Sequence, residues 1–221
     1  MTSLHAIVLC GGRGLRLRPL TEDLPKPLVP VRGRPIIDYI IDHLAASGVS
    51  SITLAGGYLV DKLATHFHDS HVQVIDTGDC DIARRIEKVD QGADEYLVLY
   101  GDTLSNVDLG ALEKHHRDSG LSATVTVWPM SSPFGLFEIE HGRAASYAEK
   151  PRLSYWINIG YFILSRVALQ RLSTSPSFES FIESLVNSQQ LGTYQHHGLH
   201  VTVNTRAELD DAESALEDWA L

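Results

Sequence analysis

Cysteines and long apolar runs are scarce in this sequence of 221 residues. The two cysteines, Cys10 and Cys80, are too few for the disulfide framework that small secreted proteins use. No apolar run approaches the roughly 20 residues that a membrane-spanning helix needs, and the first residues have no signal-peptide pattern. We therefore expect a soluble, cytoplasmic protein that has no membrane partner.

Basic residues are also in the minority, with 18 lysines and arginines against 28 acidic residues. Proteins that bind nucleic acids need a broad basic surface, so this balance argues against a nucleic-acid partner. The basic residues near the start of the chain are concentrated in one segment, opposed only by Glu22 and Asp23: Arg13, Arg16, Arg18, Lys26, Arg32 and Arg34. Such a concentration in an acidic chain indicates a local site for an anionic ligand.

Apolar strands and amphipathic helices alternate along the first 130 residues. Buried strands are predicted at 5–10, 51–56, 71–76, 95–102 and 122–129, and helices at 35–48, 59–67 and 109–120. This alternation predicts a three-layer α/β fold, in which a mostly parallel twisted sheet has helices on both faces.

The pattern changes from about residue 133. A hairpin is predicted over 134–150 with its turn at His141-Gly142, followed by a strand at 156–165, helical structure over 167–189 and a closing helix over 205–221. We interpret residues 1–221 as one domain that carries a small antiparallel lobe.

The glycine-rich loop after the first strand lacks the marks of the two common nucleotide-binding loops. Leu17 stands where the dinucleotide fingerprint needs its third glycine, and the Gly-Lys-Ser/Thr sequence of a P-loop is absent. The prolines at 19, 25, 27 and 30 exclude a following helix. What remains is a long extended loop, in which glycine N–H groups, Arg16 and Lys26 are suited to a phosphate chain.

The segment GGRGLRLRPLTEDLPKPLVPVRGRPIIDYII, residues 11–41, resembles the opening signature of the sugar nucleotidyltransferases, which join a nucleoside triphosphate to a sugar 1-phosphate. Further segments follow in the order found in glucose-1-phosphate cytidylyltransferases: VIDTGDCDIARRI, YLVLYGDTLSNVDLGALEKHH, ATVTVWPMSSPFGLFEI, YAEKP and WINIGYFILS. The resemblance covers nearly the whole chain and implies a Rossmann-like nucleotidyltransferase fold.

The resemblance implies an Mg²⁺-dependent reaction in which a sugar 1-phosphate attacks the α-phosphate of a nucleoside triphosphate, with CTP favoured, and pyrophosphate leaves. It implies catalytic roles for Arg16 and Lys26 as phosphate-binding cations and for Asp102 as a metal ligand. It implies nucleotide contacts at Leu9, Gly11, Gly12, Gly14, Thr77, Gly78 and Gly101, and acceptor contacts at Gly135, Glu149, Lys150 and Asn158. The nucleotide part would span about residues 1–130 and the acceptor part about 131–200.

Two positions depart from the pattern that the resemblance implies. The second metal ligand, which is usually an aspartate, corresponds to Asn204, and Leu15 replaces the threonine usual before Arg16. An amide oxygen is able to coordinate Mg²⁺ but brings no negative charge. These two departures support one alternative, an inactive nucleotide-binding subunit. The nucleotide could also be UTP, GTP or dTTP, and the short segment 152–155 between YAEKP and WINIG allows a phosphonate or other non-sugar phosphate as acceptor. Homo-oligomeric assembly stays open.

Four of the assigned features also have a plainer interpretation. The basic loop would be a flexible surface loop, Asp102 a turn residue after Gly101, and the neighbours Glu149 and Lys150 an exposed ion pair. Asn204 would cap the helix that begins near Arg206.

Several histidines lie close together in the sequence, at 66, 68 and 71, at 115 and 116, and at 196, 197 and 200. Their spacing does not match a zinc site, and the implied reaction needs no histidine base. We expect them at the protein surface.

Overall fold

The computed structural model describes residues 4–216. The strands are β1 (His5–Cys10), β2 (Pro30–Val31), β3 (Arg34–Pro35), β4 (Ser51–Gly56), β5 (Gln73–Asp76), β6 (Glu95–Tyr100), β7 (Thr103–Ser105), β8 (Ala123–Ser131), β9 (Leu136–Glu140), β10 (Arg143–Ala148), β11 (Arg152–Ser165), β12 (Leu191–Gln195) and β13 (His200–Thr202). The helices are α1 (Ile36–Ala46), α2 (Val60–His66), α3 (Ile82–Val89), α4 (Leu109–Ser119), α5 (Arg166–Thr174), α6 (Phe178–Asn187) and α7 (Arg206–Ala215).

Seven strands form the main sheet in the order β12-β8-β11-β6-β1-β4-β5. The strands β6, β1, β4 and β5 are parallel to one another, and β12 is parallel to β8. The long strand β11 is antiparallel to both of its neighbours and joins these two parallel groups. The expected mostly parallel α/β sheet is therefore confirmed.

Helices cover both faces of this sheet, as the sequence predicts. Apolar residues of α1, α2, α4 and α7 pack on one face, and those of α3, α5 and α6 pack on the other. Alternate side chains of a strand point to opposite faces, so Ala6 and Val8 join the first core and Ile7 joins the second. Their complete burial explains why β1 is a continuous apolar run in the sequence.

The predicted boundaries of β1 and β4 coincide with the structure, whereas the helical segment 167–189 is two helices. Pro176 explains the break, because a proline disfavours helical backbone at the preceding Ser175. The hydroxyl of Ser177 then begins α6 by accepting a hydrogen bond from the Ser180 N–H at 3.2 Å. The predicted closing helix begins at Arg206 and is described to Ala215, while residues 217–221 lie outside the described residues.

The hairpin of β9 and β10 forms a separate antiparallel sheet, which confirms the predicted small lobe. Its turn residues His141 and Gly142 both have positive φ, 49° and 76°. Two-residue hairpin turns of this kind require positive φ at both positions, and their twist matches that of the strands. The side chains of both strands are exposed. Within residues 4–216, no helix combines the length and apolar character needed to cross a lipid bilayer.

Candidate active site

A cleft of about 640 Å³ opens at the carboxyl ends of β1 and β6. The chain proceeds from β1 to β4 on one side and later returns to β6 on the other, so the cleft lies where the strand order reverses. Open α/β sheets place their ligands at such a point. Nine of the residues implied by the resemblance line this cleft: Leu9, Gly11, Gly12, Gly14, Arg16, Lys26, Gly101, Asp102 and Asn204.

The glycine-rich loop has a defined conformation. Gly14 is left-handed, with φ of 60°, and a Cβ there would lie 2.9 Å from the Thr21 side chain. The Thr21 hydroxyl donates to the Gly14 carbonyl at 2.7 Å and holds the loop in this shape. A Cβ on Gly12, in contrast, would have nothing within 4 Å. The loop is therefore fixed at Gly14 and open at Gly12, whose backbone is accessible to a ligand.

Lys26, Asp102 and Asn204 meet in this cleft although they are far apart in sequence. The Lys26 ammonium group donates to the Asp102 carboxylate and to the Asn204 side-chain oxygen, the second at 2.6 Å. Lys26 lies on a short 3-10 turn, Lys26–Leu28, and is 9% exposed. Asp102 and Asn204 are brought together because β7, just after Asp102, pairs with β13, just before Asn204.

The side chain of Asn204 is not the helix cap of the plainer interpretation. Thr205 begins α7, and its hydroxyl accepts from the Glu208 N–H at 3.2 Å. The Asn204 backbone N–H donates to the Glu208 carboxylate at 2.6 Å. The side-chain amide of Asn204 instead faces Lys26 and accepts a hydrogen bond from it. The helix-cap interpretation is therefore wrong.

The donor atoms at this point fit a hard divalent cation. The Asp102 carboxylate and the Asn204 amide oxygen converge on one cationic group, the Lys26 ammonium, which stands in for a metal. Mg²⁺ prefers oxygen ligands and usually takes one or two from the protein while phosphates and water supply the rest. Both oxygens lie in the cleft beside the glycine-rich loop, where phosphate oxygens would complete such a set.

Arg85 is a cleft residue that the sequence reasoning missed. It is 5% exposed, and its guanidinium donates to the carbonyls of Gly56 at 2.6 Å and Cys80 at 2.9 Å. A signal existed in the sequence, because Ile82, Arg85, Ile86 and Val89 follow helical spacing. An arginine on an otherwise apolar helix face indicates a buried polar function.

Thr77 and Gly78, which the resemblance implies as nucleotide contacts, are hydrogen-bonded to Arg85. Thr77 is 1% exposed, and its hydroxyl donates to the Gly56 carbonyl and accepts from Arg85. The Gly78 carbonyl accepts from the Arg85 guanidinium at 3.2 Å. Neither residue is among those that line the cleft, whereas Arg85 is. Thr77 and Gly78 are thus connected to the cleft through Arg85.

The four implied acceptor residues lie outside the cleft itself: Gly135, Glu149 and Lys150 adjoin the β9–β10 hairpin, and Asn158 lies on β11 of the main sheet. Tyr147 links two of them, because its hydroxyl donates to the Glu149 carboxylate and a Cβ on Gly135 would lie 2.4 Å from that hydroxyl. This hydrogen bond to Glu149 raises the pKa of Tyr147. Lys150 has a positive φ of 45° and is exposed. Glu149 therefore has Tyr147 as its hydrogen-bond partner.

Asn158 lies on β11 of the main sheet and contacts the cleft residue Tyr100. Burial raises the pKa of the cleft residue Tyr100, and a hydrogen bond with the Asn158 side chain opposes this effect. The Asn158 side-chain oxygen also accepts from the Gly160 N–H at 2.8 Å. A Cβ on Gly160 would lie 2.4 Å from the Tyr100 ring, so glycine is required for β11 to pass so closely. Asn158 is thus connected to the cleft through Tyr100.

The expectation of surface histidines is wrong for two residues. His116 and His196 are 3% and 7% exposed. The Nδ1 atom of His116 is hydrogen-bonded to the Thr124 hydroxyl at 2.8 Å. Burial lowers the pKa of both histidines, because it disfavours the charged ring. Over residues 4–216, no cluster of three or more histidine, cysteine, aspartate or glutamate side chains is placed to hold a metal.

Comparison with known proteins assigns the chain to a class of enzymes. Residues 5–200 match the family model described as Nucleotidyl transferase, and the chain belongs to this family. It is 30% identical to a probable glucose-1-phosphate cytidylyltransferase of Bacillus subtilis, over 93% of each chain. It is also 30% identical to a putative mannose-1-phosphate guanyltransferase of Sulfolobus acidocaldarius, over 90% of this chain but 59% of that protein.

Solved structures share the fold at lower identity. A putative glucose-1-phosphate thymidylyltransferase from Bacillus anthracis, in complex with a sucrose, has a TM-score of 0.79 at 18% identity, covering 99% of this chain and 97% of that one. HddC from Yersinia pseudotuberculosis, complexed with GMP-PN, has a TM-score of 0.74 at 20% identity, covering 97% and 100%. The family resemblance stated from the sequence motifs is confirmed.

Proposed function

We propose that this chain is an Mg²⁺-dependent sugar-1-phosphate nucleotidyltransferase that prefers CTP. The observation that carries the proposal is the meeting of Lys26, Asp102 and Asn204 beside the glycine-rich loop in one cleft. The preference for CTP is supported by the Bacillus subtilis relative, which is matched over 93% of both chains. Relatives named for GTP-dependent activity are matched over a smaller share of their length.

The triphosphate would lie along the glycine-rich loop. Gly12 is open to a ligand, and backbone N–H groups in such loops are suited to phosphate oxygens. Arg16 is exposed at the cleft and offers a guanidinium that can contact two phosphate oxygens at once. Arg85 adds a second, buried positive charge in the cleft wall. These groups neutralise a polyanion in an otherwise acidic protein.

The reaction is an in-line displacement at phosphorus. An oxygen of the acceptor phosphate forms a bond to the α-phosphorus, the bond from that phosphorus to the β-phosphate bridging oxygen breaks, and pyrophosphate leaves with that electron pair. The acceptor phosphate is already an anion, so no side chain needs to remove a proton. Lys26 lowers the repulsion between the two phosphates and orients them, which is the main requirement of phosphoryl transfer.

A divalent cation held by Asp102 and Asn204 would neutralise charge on the triphosphate. The residues of this chain hold and orient the reacting groups. Asp102 follows β6 and Asn204 precedes α7, so two elements of the fold fix the oxygens relative to the loop. Leu9 and Gly101 form the cleft floor, where the Gly101 N–H donates to the Leu9 carbonyl at 3.1 Å.

The acceptor would bind at Gly135, Glu149 and Lys150 beside the small lobe and at Asn158 on β11. Glu149 is held by Tyr147, and its remaining oxygen is able to accept hydrogen bonds from acceptor hydroxyls. A non-sugar phosphate or a phosphonate is the second candidate acceptor. It is favoured by the short lobe, because β11 of the main sheet already begins at Arg152, directly after Pro151.

A substrate matrix tests the proposal. Purified protein with Mg²⁺ is incubated with CTP, UTP, GTP or dTTP and with sugar 1-phosphates or phosphonates, and pyrophosphate release is measured. We expect the largest kcat/KM with CTP and a sugar 1-phosphate. Release with another nucleotide corrects the CTP preference, and release with a phosphonate alone selects the second candidate. Absence of release from every pair, with nucleotide still bound, would support the inactive regulatory subunit.

A further inference from the structure

Lys26 is the cation that Asp102 and Asn204 hold in this structure. Its ammonium group donates to both oxygens, and the lysine is almost fully buried. These are the two side chains proposed to bind the divalent cation. A lysine that is proposed to act on phosphates therefore contacts the two residues that are proposed to bind the metal.

The charges at this position balance without a metal. Asp102 brings one negative charge and Asn204 brings none, so the Lys26 ammonium alone neutralises the pair. Arg85 adds a further positive charge in the same cleft. A divalent cation that entered while Lys26 stayed would meet net repulsion, because like charges within a few ångströms in a partly buried site repel strongly. An aspartate at position 204 would have supplied the missing negative charge.

The Lys26 ammonium group is able to move away from Asp102 and Asn204, because the backbone of Lys26 is restricted but its side chain is flexible. Pro25 and Pro27 restrict the backbone on either side, and the Val29 N–H donates to the Lys26 carbonyl at 3.0 Å. The side chain beyond has four methylene groups and a compact charge, so it can swing towards another anion. The glycine-rich loop and Lys26 line the same cleft, so a triphosphate bound along the loop would lie within reach of the Lys26 ammonium group.

We infer that Lys26 occupies the metal position until nucleotide binds, and that the divalent cation therefore binds tightly only together with the triphosphate. Phosphate oxygens attract the ammonium group away from Asp102 and Asn204 and also contribute ligands to the incoming cation. The identity of the nucleotide rests on the proposed function, but competition between Lys26 and a divalent cation is measurable without any substrate. The consequence is a resting enzyme that excludes free metal from its site.

Mn²⁺ is the probe for this competition, and its binding to substrate-free protein is measured by electron paramagnetic resonance near neutral pH. Lys26→Met removes the charge and keeps an unbranched side chain. We expect it to bind Mn²⁺ at least roughly tenfold more tightly than the parent, because it removes the two charge-assisted hydrogen bonds that Lys26 makes to the proposed metal ligands. Lys26→Arg keeps a cation and is expected to bind Mn²⁺ as weakly as the parent.

Two further variants locate the effect. Lys114→Met removes an exposed lysine that pairs with Asp118 on α4, and it is the matched control that leaves Mn²⁺ affinity unchanged. Asp102→Asn, added to Lys26→Met, is expected to abolish the gain. Equal Mn²⁺ affinity in the parent and Lys26→Met overturns the inference, and so does a gain that survives Asp102→Asn.

Thermal unfolding establishes that each variant is folded, and Lys26→Gln replaces Lys26→Met with the same expectation if the methionine variant does not fold. The result is independent of turnover. A failure of pyrophosphate release with every substrate pair contradicts the proposed function, whereas the Mn²⁺ measurements alone decide the competition.

Discussion

The guanidinium of Arg85 fills the space that a side chain at Gly11 would occupy. A Cβ built on Gly11 would lie 1.9 Å from the Nη1 atom of Arg85. The glycine-rich loop and α3 are thus in direct contact, and the same guanidinium holds the backbone of residues 78 and 80. A side chain at position 11 would therefore require the Arg85 guanidinium to move, independently of any contact with a nucleotide.

This contact predicts different results at two neighbouring glycines. Gly11→Ala is expected to destabilise the fold by about 1–3 kcal/mol, because the methyl group has to displace a buried arginine. Gly12→Ala is the matched control and is expected to leave stability unchanged, since its Cβ would have nothing within 4 Å. Chemical denaturation of both variants measures the difference. Equal stability of the two variants would show that Arg85 moves aside without penalty.

Arg16 is expected to act on the triphosphate without supporting the fold. It is exposed and lines the cleft, so Arg16→Ala removes a charge and no core packing. We expect kcat/KM to fall roughly 10²- to 10³-fold, as for other groups that stabilise charge at a transition state, while the melting temperature stays unchanged. Arg84→Ala removes an exposed arginine that does not line the cleft and is expected to retain parental activity. Parental turnover in Arg16→Ala would exclude the proposed role.

Asn204 is expected to set the Mg²⁺ requirement of the reaction. Asn204→Asp adds a negative charge next to the cation and lowers the half-saturating Mg²⁺ concentration, although repulsion of the triphosphate reduces the maximal rate. Asn204→Ala removes an oxygen ligand and raises that concentration. Mg²⁺ titrations of pyrophosphate release measure both, with Asn106→Asp, an exposed change, as the control. Unchanged midpoints in both Asn204 variants would mean that this residue does not bind the metal.

Partly buried histidines are expected to make the protein sensitive to acid. Burial lowers the pKa of His200 from 6.5 to about 4, and it also lowers the pKa of His43. Between pH 6.5 and about pH 4, His200 therefore binds more protons in the unfolded chain than in the folded one. The contribution of His200 to the free energy of unfolding is therefore fully present above pH 6.5, and it is lost as the pH decreases towards 4.

Urea denaturation over this pH range tests the histidine effect. His200→Gln removes one of the protons taken up on unfolding and is expected to make the stability less dependent on pH. His68→Gln changes an exposed histidine and is expected to keep the parental dependence. A parental slope in His200→Gln would assign the acid sensitivity to other groups.

Local patterns were sufficient for most elements of the fold. The apolar runs of β1 and β4 gave correct boundaries, because strands buried on both faces are continuous apolar segments. The sequence analysis does not predict helix α3, because Arg85 interrupts its apolar stripe. The predicted helical segment 167–189 does not include the break before α6, although Pro176 marks it, because helical periodicity is present on both sides of the proline.

The sequence by itself determined the α/β class, the hairpin at His141-Gly142 and the glycine-rich loop, since each depends on residues that are near one another in the chain. Only the tertiary structure decided what Lys26 contacts. Asp102 is 76 residues away and Asn204 is 178 residues away, and they meet Lys26 because β7 pairs with β13 at the carboxyl edge of the sheet. Periodicity and spacing report local backbone preference, whereas a contact over such distances depends on strand pairing that no short segment encodes.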